Sequence, residues 1–170
     1  MTERGVATKK GIVLTIIILG IITAASFSLW LIPQHENSGP LISDYRSELE
    51  SIKERQGIII NETGDELNSM LGGSLSPDDF ITRAQTSSSQ VDSLLSEIIE
   101  SRAPQEWRES YLNYGEALKK YNDYLTETIV IANKVKGNVS INDLQGELQK
   151  LDSMKKESES YAIKANETKP

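Results

Sequence analysis

The chain has 170 residues, with 18 Lys and Arg against 25 Asp and Glu, a formal net charge of −7, one histidine and no cysteine. The missing cysteine excludes disulfides and thiolate zinc sites, and the diffuse positive charge argues against nucleic acid as a partner. A single histidine leaves no Glu-x-x-His pair for a di-metal bundle site and no positioned base for a nucleophilic triad, so no cofactor and no enzymatic activity are expected.

The first element is the uncharged run Gly11–Ile32. As a helix its 22 residues reach about 33 Å, enough to cross a hydrocarbon core. Arg4, Lys9 and Lys10 precede it, and no Lys or Arg follows until Arg46. That asymmetry predicts a cytoplasmic N-terminus (residues 1–10), a membrane helix (11–32) and an extracytoplasmic remainder at the plasma membrane. Trp30 suits the outer interface, and Pro33 ends the helix. A cleaved signal peptide ending near Thr23-Ala24-Ala25 is the competing reading, but the apolar run continues past it to Ile32. Gly20, Ala24 and Ser28 repeat every four residues, a small-residue face through which membrane helices can pack.

Residues 33–40, PQHENSGP, read as a polar linker. His35 lies there, as a solvated residue. Beyond it four segments carry helical spacing, and together they predict an all-α, antiparallel up-down-up-down four-helix bundle over 41–166, followed by a short tail at 167–170.

The first segment spans about Leu41 to Leu71. Its stripe is Ile42, Tyr45, Leu49, Ile52, Gln56, Ile59, Thr63, Leu67 and Met70. Gly72-Gly73 stops it, and Ser76-Pro77 restarts the chain with a cap and a first-turn proline. The second segment, from Pro77 to about Ser101, repeats Phe80, Ala84, Ser87, Val91, Leu94 and Ile98 in alternating steps of four and three. Arg102-Ala103-Pro104 breaks it.

The third segment is expected from Pro104 to about Lys136, with the stripe Trp107, Tyr111, Tyr114, Leu118, Tyr121, Leu125, Thr128, Ala132 and Val135. Lys134 and Lys136 suit its last turn. The tyrosine ladder, with Tyr124 beside it, reads as core and core edge with hydroxyls reaching water; a contact surface is the other possibility. After the turn at Gly137–Ser140, the fourth segment runs from Ile141 to about Ala165 through Leu144, Leu148, Leu151, Lys155, Ser158 and Ala162. Ser140 with Asp143 resembles a capping box. Charged residues read as solvated helix faces with weak local pairing, such as Glu48 with Arg55 and Glu147 with Lys150.

Polar residues interrupt the apolar stripes. Gln56, Thr63, Ser87, Ser88 and Thr128 are candidates for a polar core layer that could hold ordered water or a small solute; the plainer reading makes them spacers and register-setters. Asn138, Asn61 and Asn166 lie in glycosylation sequons, Asn138 in a turn.

The order of anchor, linker and bundle is similar to the extracytoplasmic part of four-helix-bundle chemoreceptors and sensor kinases, in pattern and without a shared motif. It departs from them after the bundle, where no second apolar span precedes Pro170. On that reading any message passes through a separate protein. Two functions are expected from these features. The first is a membrane-anchored accessory or structural protein whose partners are lipid and another membrane or surface protein, or a second copy. The alternative is a small-ligand sensor module reporting through a partner.

Overall fold

A computed structural model describes residues 44–170. The apolar run 11–32, its Gly20, Ala24 and Ser28 face, and the linker at 33–40 lie outside the described residues. Among the described residues no helix is long and apolar enough to cross a membrane.

The described chain is all-helical. It runs as α1 (Tyr45–Leu71), α2 (Pro77–Glu100), α3 (Arg108–Lys136), a short 3-10 turn (Ile141–Leu144) and α4 (Gln145–Glu167). Local chemistry sets most of these ends. Asp44 caps α1 by accepting from the backbone N–H groups of Arg46 and Ser47 at 3.0 and 3.1 Å. Ser76 caps α2 through the Asp79 N–H at 3.1 Å, with Pro77 in the first turn. Ser140 accepts from the Asp143 N–H at 3.4 Å and its hydroxyl donates to the Asp143 carboxylate, a side-chain pair in place of the backbone return bond of the expected capping box.

Three connections reverse the chain, and each places one residue in the left-handed region just after a helix. After α1 it is Gly73 (φ 76°), after α3 Asn138 (φ 62°), and after α2 Arg102 (φ 48°). Glycine and asparagine are the residues that tolerate this conformation, and arginine does so only at a cost. At the Gly73 and Asn138 ends the reversal closes with paired backbone bonds, Ser74 N–H to Ser69 O and Val139 N–H to Lys134 O among them.

Side-chain bridges fix the helices as antiparallel neighbours. Arg55 of α1 meets Glu97 of α2, and Glu66 meets Arg83. Ser88 and Asp92 of α2 both reach Asn122 of α3. Ser110 of α3 donates to the Ala165 carbonyl of α4 at 2.6 Å, and Ser158 of α4 donates to the Ala117 carbonyl of α3 at 2.8 Å. Lys53 of α1 donates to Asn166 of α4.

The core is the set of stripes brought together. Leu49, Ile52, Phe80, Ala84, Val91, Leu118, Leu125 and Leu144 are essentially inaccessible. α3 is the most enclosed helix: its tyrosines Tyr111, Tyr114, Tyr121 and Tyr124 are all buried. Against the expectation that these hydroxyls reach water, those of Tyr111 and Tyr114 bond to protein groups and that of Tyr121 is buried. Tyr111 donates to the Tyr45 carbonyl and the Glu48 carboxylate, and Tyr114 donates to Gln56.

Three sequence expectations need correction. α3 begins at Arg108, four residues after Pro104, because Pro104–Trp107 forms a separate turn closed by the Trp107 N–H on the Pro104 carbonyl. That turn buries the Trp107 ring edge-on against Tyr111, with centroids 6.4 Å apart. The fourth segment opens as a 3-10 turn before it becomes α4. The residues expected to pair along one helix pair between helices: Arg55 takes Glu97, Lys150 takes Glu127, and Glu147 takes Lys134, while pairing along one helix falls to Glu50 with Lys53, Glu116 with Lys119 and Asp152 with Lys156.

A candidate functional site in the α2–α3 groove

The polar residues of the stripes do not assemble into one layer. Gln56 is buried and accepts from Tyr114. Thr63 is buried one level away and donates to Ser87 at 3.4 Å. Ser88 is half-buried and donates to the Asn122 side chain. Thr128 is buried and donates to the Leu125 carbonyl of its own helix. These are separate local pairs, each satisfying a buried polar group.

Tyr121 is the exception. Its side chain is 1 % exposed and its hydroxyl has no hydrogen-bond partner. Burial pushes the Tyr121, Tyr114 and Tyr111 hydroxyls well above the usual tyrosine range, with the Thr63 hydroxyl pulling against burial at Tyr121 and the Glu48 carboxylate adding to it at Tyr111.

Among the sequon asparagines, Asn138 stands exposed in its turn and Asn61 stands exposed on the outer face of α1. Asn166 is engaged by Lys53. Among the described residues no three His, Cys, Asp or Glu side chains converge as a metal site requires.

The surface feature with the most distinctive chemistry is a groove of about 430 Å³ between the C-terminal half of α2 and the N-terminal half of α3. Its apolar lining comes from Leu95, Ile98, Ile99 and Leu112. Ile99 is 68 % exposed and Leu112 64 %, the two highest values among the described large apolar side chains. Gly115 lies in the wall, where a Cβ would stand 3.4 Å from the Ile98 methyl, in ordinary van der Waals contact.

Cations rim this apolar surface. Arg102, Arg108 and Lys119 all line it. Lys119 is neutralised by Glu116 at 2.7 Å. Arg102 and Arg108 have no ion pair among the described residues, although acids outnumber bases in the chain. Elsewhere, Arg55, Arg83, Lys120, Lys134 and Lys136 each meet a carboxylate, while Arg46 reaches the Pro170 oxygen and Lys164 lies over the Tyr161 ring.

A second groove, of about 340 Å³, runs between α1 and α2 past Ile58 and Leu94. Its arginine, Arg55, is already held by Glu97, whose carboxyl is drawn below the usual range by that contact. It therefore lacks the open charge of the first.

The stripes could not reveal the α2–α3 groove, because Ile99 and Leu112 lie off them. The available signal was an apolar residue directly beside a stripe position, Ile99 after Ile98 and Leu112 after Tyr111, close to an arginine. The chain matches no protein-family model, no curated protein and no solved structure.

Proposed function

We propose that this chain is a non-enzymatic, single-pass membrane protein whose extracytoplasmic helical bundle acts as an interaction or accessory subunit. The observation that carries the reading is the α2–α3 groove. A solitary bundle gains nothing by leaving Ile99 and Leu112 in water beside two guanidiniums that have no ion pair among the described residues, whereas a docking surface needs that combination of apolar floor and charged rim. The uncharged run Gly11–Ile32 and the Lys and Arg bias before it support the anchor and its orientation.

The groove opens at the end of the bundle that carries Asp44, since Tyr111 of α3 meets Tyr45 and Ser110 meets Ala165 there. Asp44 follows Ile32 by twelve residues, at most about 40 Å of extended chain. A partner held in the same membrane therefore lies within reach.

The test is purification of the tagged full chain from detergent-solubilised membranes, beside an Ile99→Ser/Leu112→Ser variant. A stoichiometric companion that leaves with the double substitution supports the reading. Identical material from both proteins would sink it. Protease applied outside spheroplasts should remove the bundle and spare an N-terminal tag, and a protected bundle would reverse the orientation.

A further inference from the structure

We infer that the α2–α3 groove receives an amphipathic helix with acidic flanks from the partner protein. This rests on the interaction reading and adds the chemistry of what is bound.

Length comes first. Arg108 to Lys119 along α3 is about 16 Å, or three helical turns. That matches the stretch over which a docked helix presents anchors at i, i+3 or i+4, and i+7. The floor offers aliphatic side chains and no carboxylate of its own at the Arg102–Arg108 end.

Charge selects among occupants. The two guanidiniums, without an ion pair among the described residues, call for carboxylates, which arginine can bind in bidentate fashion. A second copy of this chain would bring the same cations, and its Glu116 is already engaged by Lys119 at 2.7 Å. An anionic bilayer matches less well. Glu100 and Glu109 stand exposed close to the groove, and a flat surface must meet them together with the arginines. A helix can set its acids against Arg102 and Arg108 alone.

Arg102 holds its rim position at a backbone cost. It occupies the left-handed position where the other two connections use Gly73 and Asn138. Glycine would relieve the backbone there and would remove a guanidinium from the rim.

The experiment uses the full chain in discs of neutral phosphatidylcholine. The probe is a fluorescent, stapled amphipathic peptide of about 15 residues, with leucines at helical spacing flanked by glutamates. Its twin carries lysine at every glutamate. Anisotropy should give at least tenfold tighter binding of the acidic peptide, weakening as salt rises. Arg108→Gln and Arg102→Gly should each lower that affinity about tenfold, and Arg102→Gly should at the same time raise the melting temperature. That pairing rules out a folding defect as the cause.

Equal affinity for the two peptides would overturn the proposal, as would affinity indifferent to both arginine substitutions. So would self-association without peptide that shields Ile99 and Leu112, or the same shielding by phosphatidylglycerol discs. If Ile99→Ser/Leu112→Ser releases a companion while peptide charge has no effect, the inference fails and the interaction reading stands. If no companion exists, the interaction reading itself fails.

Discussion

The Tyr114 hydroxyl of α3 donates to the Gln56 side chain of α1 across the bundle, joining two helices that share little backbone contact. Seven residues further along α3, Tyr121 is buried to the same degree with its hydroxyl unpartnered. The same chemical deletion should therefore act oppositely at the two sites. Tyr114→Phe strands the Gln56 amide and should cost about 1–3 kcal/mol. Tyr121→Phe removes a desolvated hydroxyl whose polar neighbour, Thr63, already donates to Ser87, and should be neutral or stabilising by up to about 1 kcal/mol. Urea denaturation of both variants checks this, and equal losses would contradict it.

Core and outer faces of α3 should separate cleanly. Leu118 is fully buried, so Leu118→Ala should cost about 2–5 kcal/mol. Glu109 is exposed, and Glu109→Ala should change stability by no more than about 0.5 kcal/mol. Comparable effects would mean that the packed face is misassigned.

Arg102 offers a substitution that strengthens the fold. Arg102→Gly should raise stability by about 1 kcal/mol, because glycine enters the left-handed region at φ 48° without the Cβ clash. Asn138→Gly should gain less, since asparagine already tolerates that region. Thermal unfolding of the two variants gives the comparison.

The pH dependence follows from Lys53. Its ammonium lies 5.6 Å from the Tyr114 ring centre. Desolvation, with Lys169 as a like-charged neighbour, pushes it down to about 8 from the ordinary 10.5, with Glu50 opposing. Between those values unfolded Lys53 holds a proton that folded Lys53 has released, so its contribution raises stability as pH climbs from about 8 to 10.5. Tyr111, Tyr114 and Tyr121 act the other way above the ordinary tyrosine value of 10.0, where the unfolded rings ionise and the buried ones do not. Stability should therefore rise from pH 8 toward 10 and then fall. Lys53→Met should abolish the rise and keep the fall. A denaturation midpoint followed across this range decides it.

The sequence made α1 and α2 readable because each buries one narrow face. Every residue from Leu49 to Met70 on the first stripe, and all six on the second, is buried. α3 was read less completely because it packs against α2 and α4 and sends tyrosines to α1, so Ser110, Ala117, Tyr124 and Ile131 are buried outside a single stripe. Its small residues carry little hydrophobic signal, although Ser110 makes a buried bond to α4. Pro104 does not mark the start of α3, because proline suits a free turn as well as a helix start. The groove escaped for a related reason: it depends on which carboxylates reach which cations across helices, and local spacing does not encode that.

The claim that the α2–α3 groove is the working surface of this protein can be tested in living cells with a photo-crosslinking amino acid placed at one of two exposed sites on α3. Leu112 lies in the groove, and Val130, 41 % exposed, lies five turns away on the same helix. Illumination should give a discrete covalent adduct to another protein from position 112 and none from position 130, and the adduct should vanish when Arg108→Gln is added. No adduct from position 112, or the same adduct from both positions, would contradict the account.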